Sequence, residues 1–298
     1  MNITFRQLRI FLALVDTGSV SAAARKVHVT QPTASMQLKE ISDAVGLPIY
    51  EVVARKVHLT QVGKELAITG RAMANQWEVF EQQVDGLKGL TRGQLKVAIV
   101  STAKYFIPRI LGTFCAKYPE LEFSLEVLNR DGVIKRLEEN LDDLYIMSRP
   151  PLNLEIEDEI FMSNPLLLVA PKNHVIAKKR NIDLSALKSE KFIFREKGSG
   201  TRMATDEHFK KLKIKPNVRL ELGSNEAIKQ AVIGGLGLAV LSKYSLGENV
   251  DQEEVAILKC KDFPIESSWH IVSPKGKRLS PIATVFKKHL SDQAKGWK

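Results

Sequence analysis

The chain has 298 residues, of which 44% are hydrophobic and 26% charged, and its formal net charge is +10. This composition is that of an ordinary globular protein and excludes disordered, collagen-like and low-complexity architectures. The length predicts about two domains, and no apolar run reaches the roughly 18 residues of a membrane span. The first residues read as a folded helix and not as an export signal, so we expect a cytoplasmic protein with no membrane partner.

The excess positive charge is unevenly distributed. Residues 1–90 contain ten Lys or Arg and eight Asp or Glu, so most of the excess lies beyond them. A basic protein can bind nucleic acid, but this excess is equally compatible with an anionic small ligand or with a solvated basic surface. The only cysteines are Cys115 and Cys260, without metal-ligand spacing, so neither a disulfide framework nor a zinc site is predicted.

The N-terminal segment predicts three short helices. Apolar residues recur at helical spacing before Gly18, which is suited to end the first helix. Ser19 or Ser21 can cap a second, alanine-rich helix. Thr30 can cap a third helix, which has Pro32 in its first turn and ends at a glycine. The pattern is that of a helix-turn-helix.

The third helix carries short polar and amide side chains in its N-terminal half. Such side chains read base edges in the major groove, and a helix N-terminus favours a nearby phosphate. A hairpin over Ile49–Val53 and Lys56–Leu59 would place Arg55 near its tip, within reach of phosphate or a minor groove. A plain three-helix packing unit explains the spacing equally well. The predicted DNA-binding residues are Gln31, Pro32, Thr33, Ser35, Gln37 and Arg55.

Residues 61–93 predict a linker helix. Its apolar positions form a heptad seam, which a second copy of the chain would cover. The alternative is that the seam packs on the downstream part of the same chain. Dimerisation would place two recognition helices on one two-fold axis, the arrangement that reads a palindromic site. The seam residues are Leu66, Met73, Trp77, Phe80, Val84 and Leu87.

Beyond residue 93 the pattern alternates between strands and helices, which is typical of a parallel α/β sheet. Two such cycles, with crossover segments near 162–166 and 262–268, predict two lobes with a cleft between them. We therefore predict a helix-turn-helix domain over 1–60, a linker over 61–93 and a two-lobed domain over 94–298. Within the last, lobe I takes 94–163 and 267–298, and lobe II takes 164–266.

Ligands of such sheets bind beyond the carboxyl ends of strands, at helix N-termini. Hydroxyl, glycine and arginine residues at these places suit a small anion, such as a phosphorylated sugar or acid. Helix capping by Ser101 and Thr201, and surface ion pairs for the arginines, are the alternative explanations. The predicted effector-binding residues are Ser101, Thr102, Arg130, Arg149, Gly198, Ser199, Gly200, Thr201 and Arg202.

Catalytic motifs are absent from the sequence. The patterns GxxxxGK[ST], HExxH and GxSxG do not occur, and the six histidines are scattered without metal-ligand spacing. We therefore predict no catalytic residue, no metal and no cofactor. A transport-type solute-binding protein and a small-molecule enzyme are the rival interpretations of a two-lobed chain. The missing export signal and the extra N-terminal segment argue against the first.

Several spaced motifs resemble one family. Residues 2–62, with FRQLRIFLALVDTGSVSAAARKVHVTQPTASMQLKEISDAVGLPIYE and ARKVHLTQVG, resemble the N-terminal region of LysR-type transcriptional regulators. The stretches RGQLKVAIVSTAKYFIPRILGTF, KYPELEFSLEVLNRD, NLDDLYIMSRPP, REKGSGTR and GSNEAIKQAVIGGLGLAVLS extend the resemblance over essentially the whole chain. They are most similar to the subgroup that regulates rubisco (Calvin–Benson cycle) operons and related carbon-concentration genes.

The resemblance implies a fold and a function. The fold would be a winged helix-turn-helix, a linker helix and a two-lobed, periplasmic-binding-protein-like α/β effector domain. The protein would be a homodimer or homotetramer that binds double-stranded promoter DNA, with RNA polymerase as a candidate partner. Its effector would be a small anionic metabolite, since the subgroup responds to phosphorylated or nucleotide metabolites. Tyr145 and Ser148 depart from the subgroup, which more often has smaller residues there.

Overall fold

The computed structural model describes residues 2–53, 56–87, 93–247 and 254–296. The chain forms two compact units, one built from the first 88 residues and the other from most of the remainder. Within the described ranges, no helix is both long enough and apolar enough to cross a membrane.

The N-terminal unit consists of four helices and a hairpin. In chain order they are α1 (Phe5–Thr17), α2 (Val20–Lys26), α3 (Gln31–Val45), β1 (Tyr50–Val53), β2 (Lys56–Leu59) and α4 (Gln61–Leu87). β1 and β2 pair antiparallel, as the alternating pattern predicts. The tip of the hairpin, including Arg55, lies outside the described residues.

The core of this unit is formed by the apolar faces of α1, α2 and α3. Phe11, Leu14, Leu38 and Ile41 are fully buried in it. The apolar spacing in α1 predicts a buried face of Leu8, Phe11, Leu12 and Val15. Leu8 and Phe11 lie in the core, but Ile10 and Leu14 replace Leu12 and Val15, which are only partly buried. Helix α1 contacts all three other helices of the unit, so more than one of its faces is covered.

Local capping explains why these helices begin and end where they do. Thr4 and Gln7 form a capping box at the start of α1, and Ser19 caps α2. The Thr30 side chain accepts a hydrogen bond from the backbone N–H of Thr33 at the start of α3. Gly18 and Gly46 end α1 and α3 in the left-handed conformation, as predicted.

The long helix α4 packs closely on α1 through a glycine. A Cβ atom at Gly70 would lie 2.7 Å from Leu8 Cδ1, so the two helices approach closely there. Leu66 packs against the core of the unit, whereas Met73, Trp77 and Phe80 are about half exposed in the single chain. The Leu87 side chain lies outside the described residues. The predicted seam is therefore covered at one end by its own unit.

The first lobe of the second unit is a five-stranded sheet with helices. Its strands lie in the order β4-β3-β5-β12-β6. Its elements are β3 (Gly93–Val100), α5 (Ile107–Cys115), β4 (Leu121–Leu128), α6 (Arg130–Glu138), β5 (Leu144–Met147), β6 (Ile156–Ser163), β12 (Ser268–Pro274) and α9 (Pro281–Ala294). Phe106, Phe114, Trp269 and Phe286 fill its core.

The second lobe is a five-stranded sheet in the order β11-β7-β10-β8-β9. Its elements are β7 (Leu166–Pro171), β8 (Lys191–Arg195), α7 (Gly200–Lys211), β9 (Asn217–Leu222), α8 (Asn225–Ile233), β10 (Leu238–Ser242) and β11 (Val255–Ile257). The chain leaves and re-enters lobe I through two neighbouring segments, where Asn164 donates its backbone N–H to the carbonyl of Ser267 at 2.7 Å.

The prediction of parallel sheets is correct for only half of the strand pairs. β3 pairs parallel with β4 and β5, and β8 pairs parallel with β9 and β10. The remaining pairs, made by β12 and β7, are antiparallel. The prediction was wrong here for two reasons. β7 and β12 each enter their sheet directly from the other lobe and not after a helix, and β6 and β11 were not recognised as strands. β6 is an edge strand with mostly exposed side chains, so it lacks the apolar signal.

Candidate functional site

The N-terminal half of α3 presents the predicted DNA-reading side chains on the surface of the first unit. Gln31 and Pro32 are exposed, and Thr33, Ser35 and Gln37 are partly exposed. On the opposite side of α3, Ala34, Leu38 and Ile41 are buried in the core. The helix is therefore fixed by its apolar face and leaves a polar face available.

Hydrogen bonds between neighbouring side chains order this polar face. Gln31 Nε2 donates to Ser35 Oγ at 2.9 Å. Gln37 Nε2 donates to Glu40 Oε2 at 2.9 Å, and Gln7 of α1 donates to the same carboxylate oxygen at 2.7 Å. Held in this way, the amides lose less conformational entropy on binding a base edge. The arrangement suits direct readout in a major groove.

In the second unit, hydroxyl groups of lobe I meet buried polar groups of lobe II. Ser101 and Thr102 follow β3 directly, as predicted. Thr102 Oγ1 accepts a hydrogen bond from Asn225 Nδ2 at 3.0 Å, and Ser101 Oγ accepts one from Arg195 Nη2 at 3.1 Å. Asn225 Oδ1 in turn accepts from Arg195 Nη1 at 2.6 Å. We call these four residues, Ser101, Thr102, Arg195 and Asn225, the interlobe cluster.

Arg195 is the charged member of this cluster. It is the last residue of β8 and only 3% exposed. Its Nε and Nη2 donate to the two carboxylate oxygens of Glu196 at 2.8 and 3.0 Å. A buried guanidinium needs such a counter-charge, because removing a charge from water is costly. Asn225 sits at the first turn of α8, whose N-terminus adds a positive partial charge to the same place.

A second contact region joins α6 and the end of β5 to the start of α7. Gly198 has φ +87° and an added Cβ would lie 2.4 Å from Asp131 Oδ2, so only glycine fits. An added Cβ at Gly200 would lie 3.0 Å from Ser148 Oγ. Arg149 Nη2 donates to Glu207 Oε2 of α7 at 2.6 Å. The glycines thus bring the backbone of lobe II against polar groups of lobe I.

Charges in this region influence one another. Burial lowers the pKa of Arg130, with neighbouring Arg149 acting in the same direction and Asp131 opposing. The hydrogen bond from Arg149 lowers the pKa of the Glu207 carboxyl. Arg130 Nε donates to the backbone carbonyl oxygen of Arg149 at 2.6 Å. Arg149 pairs with Glu207, and Arg130 lies 3.8 Å from an Asp131 carboxylate oxygen, so an anion that binds these two cations competes with both carboxylates.

The Arg202 side chain contacts acidic residues of lobe II and not the side chains of the interlobe cluster. Its guanidinium donates to Asp206 at 2.8 Å, to Glu221 of β9 at 2.7 Å and to the carbonyl oxygen of Arg195 at 2.8 Å. The structure therefore does not bring the Arg202 guanidinium into the interlobe cluster. The contact with the Arg195 carbonyl gives Arg202 a positioning role at the end of β8.

Two family models match the chain. The model described as "Bacterial regulatory helix-turn-helix protein, lysR family" matches residues 5–64, and the model described as "LysR substrate binding domain" matches residues 88–295. The chain belongs to the LysR family of bacterial transcriptional regulators. The family resemblance of the sequence and the predicted fold class are thereby confirmed.

Over nearly its whole length, the LysR-type regulator is similar to two bacterial transcriptional regulators. It is 41% identical over 289 residues to the HTH-type transcriptional activator CmpR of Synechocystis, covering 97% of this chain and 95% of the relative. It is 40% identical over 287 residues to a RuBisCO operon transcriptional regulator of Acidithiobacillus ferrooxidans, covering 96% and 93%. These similarities place the regulator in the rubisco-regulator subgroup that the later sequence motifs indicate.

A solved structure resembles the second unit of the regulator. The regulatory domain of Synechocystis CcmR, in complex with 2-PG, is 46% identical and superimposes with a TM-score of 0.66. The match covers 68% of this chain and 97% of that domain.

Sequence reasoning missed two members of the interlobe cluster of the regulator, Arg195 and Asn225. Both are buried polar residues at the end or start of an element. The available signal was their place in stretches that carry the family resemblance: Arg195 is the first residue of REKGSGTR, and Asn225 is the third residue of GSNEAIKQAVIGGLGLAVLS. Tyr145 does not affect the cleft: its ring is buried in the core of lobe I, and its hydroxyl donates to the Arg136 carbonyl at 2.9 Å. Ser148, in contrast, lies against Gly200.

Proposed function

We propose that the regulator controls genes of carbon fixation or inorganic-carbon uptake in response to a small phosphorylated acid. Whole-chain identity of 40–41% to a RuBisCO operon regulator and to CmpR carries the first part. The second part is supported by the interlobe cluster and by the 46% identical CcmR regulatory domain, which was solved with 2-PG (2-phosphoglycolate). The effector binds between the lobes and favours one lobe arrangement over another, which requires different affinities for the two states.

The proposed effector site combines hydroxyls, backbone N–H groups and cations. Ser101 and Thr102 contribute hydroxyls, and Arg130 and Arg149 contribute positive charge. The segment Gly198–Arg202 contributes the N-terminus of α7, where Ser199 caps the helix and Thr201 is buried. Arg202 acts by position, through its bond to the Arg195 carbonyl.

The proposed DNA-binding residues are those of α3, Gln31, Pro32, Thr33, Ser35 and Gln37, together with Arg55 of the hairpin tip. The residue bounds predicted from the sequence, 1–60, 61–93 and 94–298, serve as the domain division. We propose a cytoplasmic homotetramer that binds promoter DNA without catalytic activity. The described residues contain no group of three or more side chains placed to hold a metal ion.

Isothermal titration calorimetry tests the effector proposal. The full chain is titrated with 2-phosphoglycolate, with glycolate and inorganic phosphate as controls that each carry one half of the ligand. We expect measurable heat for 2-phosphoglycolate and much weaker binding of each half. Gel-shift titration on the DNA upstream of the regulator's own gene and upstream of rubisco genes then measures the change in affinity or in the number of complexes. Equal binding of all three small molecules, or none, contradicts the proposal.

A further inference from the structure

Arg195 is the most deeply buried charge of the second lobe that has a partner from the other lobe. Arg195 is the last residue of β8, and its side chain is 2% exposed and donates to Ser101 across the cleft at 3.1 Å. Its other partners are Asn225, which is neutral, and Glu196, which is charged. Glu196 is therefore the partner that balances the buried positive charge.

Glu196 differs from Arg195 in its access to water. Its side chain is 25% exposed, whereas that of Arg195 is 2% exposed. The hydrogen bonds of its carboxylate are the two that Arg195 donates, at 2.8 and 3.0 Å. Because Arg195 is the only hydrogen-bond partner of this carboxylate among the described residues, the carboxylate can rotate into solvent while the guanidinium stays in place.

A buried polar group within electrostatic range of Arg195 lacks a partner. The Tyr105 hydroxyl makes no hydrogen bond within the part of the chain that the structure describes. Burial and Glu226 raise the pKa of Tyr105 while Arg195 lowers it, so the hydroxyl lies within electrostatic range of both charges. Native proteins leave few buried polar atoms unsatisfied, and an exception calls for an explanation. An acid group on Arg195 would supply the missing acceptor.

We propose that Arg195 binds the acid group of the effector and that the Glu196 carboxylate competes for the same guanidinium. Glu196 occupies the two N–H groups that a carboxylate or phosphate would take in bidentate geometry. Effector binding exchanges one anion for another, so the buried guanidinium stays neutralised and Glu196 moves into water. The competition raises the effector concentration that is needed to occupy the site. This inference rests on the proposed interlobe effector site.

Glu196→Gln tests the competition. The amide keeps the shape but removes the charge, so we expect 2-phosphoglycolate to bind this variant roughly tenfold to a hundredfold more tightly than the wild type, the range of a charged hydrogen bond. Arg195→Lys should weaken binding at least tenfold, because lysine cannot form the bidentate pair. Glu159→Gln is the matched control: Glu159 also pairs with a cation, Lys287 at 3.1 Å, but within lobe I, and the affinity of this variant should match wild type. Calorimetry measures all four proteins.

A second measurement distinguishes a failure of the effector proposal from a failure of the proposed competition between Glu196 and the ligand. Unfolding midpoints are recorded with increasing inorganic phosphate, at constant ionic strength set with chloride. The unfolding midpoint of Glu196→Gln should start lower than that of wild type, since Arg195 has lost its counter-charge, and should rise more with phosphate than that of wild type or Glu159→Gln. If wild type ignores 2-phosphoglycolate, the effector proposal fails, and the phosphate series still decides the role of Arg195. Unchanged or weaker anion binding by folded Glu196→Gln in both measurements overturns the inference.

Discussion

The hydrogen bond between Thr102 and Asn225 joins the two lobes, so its strength can be measured as a coupling between two substitutions. Asn225→Ala removes this 3.0 Å bond and the 2.6 Å bond from Arg195, which is charge-assisted. A neutral bond is worth about 1 kcal/mol and a charged one about 1.5–3, so the variant should lose about 2–4 kcal/mol of stability. Thr102→Ala should lose about 1 kcal/mol.

The double variant measures the coupling free energy between Thr102 and Asn225. Because the two single variants share one bond, the double variant should lose about 1 kcal/mol less than their sum. Native-state hydrogen exchange of the amides in α8 and β3 measures the free energies separately from the N-terminal unit. The control cycle combines Thr102→Ala with Thr205→Ala, whose hydroxyl bonds within α7. Additive losses in the Thr102–Asn225 cycle, within about 0.3 kcal/mol, would refute the interlobe contact.

Three further predictions concern the DNA surface, packing and pH. Gln31→Ala should weaken specific operator binding by about 1–3 kcal/mol and leave binding to scrambled DNA nearly unchanged in gel shift. Gly63→Ala should destabilise the N-terminal unit by about 3 kcal/mol or more, because its Cβ would lie only 1.8 Å from the Ile49 carbonyl oxygen. The control for this substitution is Gly112→Ala, which meets nothing within 4 Å on the exposed side of α5 and should stabilise the protein by about 0.5–1 kcal/mol in urea denaturation. Burial, with a smaller effect of Lys117, holds the pKa of His289 below its ordinary value. The free energy of unfolding should therefore keep its full value at pH 7.5 and should decrease as pH drops below about 6.5, where the unfolded state begins to bind the proton.

Each of these has a contrary result. Equal losses on operator and scrambled DNA would show that Gln31 acts on the backbone and reads no base. A tolerated Gly63→Ala would mean that α4 does not pack against the Ile49 carbonyl as described. For pH, the urea midpoint of His289→Gln should fall less steeply than that of wild type between pH 7.5 and 5.5. Identical slopes would mean that His289 titrates alike in the folded and unfolded states.

The helix-turn-helix was predictable because local rules determine it. The residues that begin and end its helices, such as Thr30 and Gly46, act within one turn of the chain. The interlobe cluster was harder to predict, because it joins residues up to 123 positions apart. Ser101 and Thr102 could be selected from their place after a strand, but Asn225 acquires its role only when the lobes meet.

Antiparallel strands and side-chain direction were beyond the sequence. An exposed edge strand such as β6 carries no apolar alternation, so its pairing with β12 depends on the completed sheet. Arg202 shows the limit for single side chains. Its position at the N-terminus of α7 was predicted, but acceptors on both α7 and β9 fix its guanidinium away from the cleft.

The place of β12 in the lobe I sheet has a consequence for synthesis of the protein. This strand, the last in the chain, lies between β5 and β6 and pairs with both. Lobe II, whose strands all fall within residues 166–257, can complete its sheet on the ribosome first. The lobe I sheet lacks the strand between β5 and β6 until Ser268–Pro274 has been synthesised. A chain that terminates before this strand therefore cannot complete the lobe I sheet.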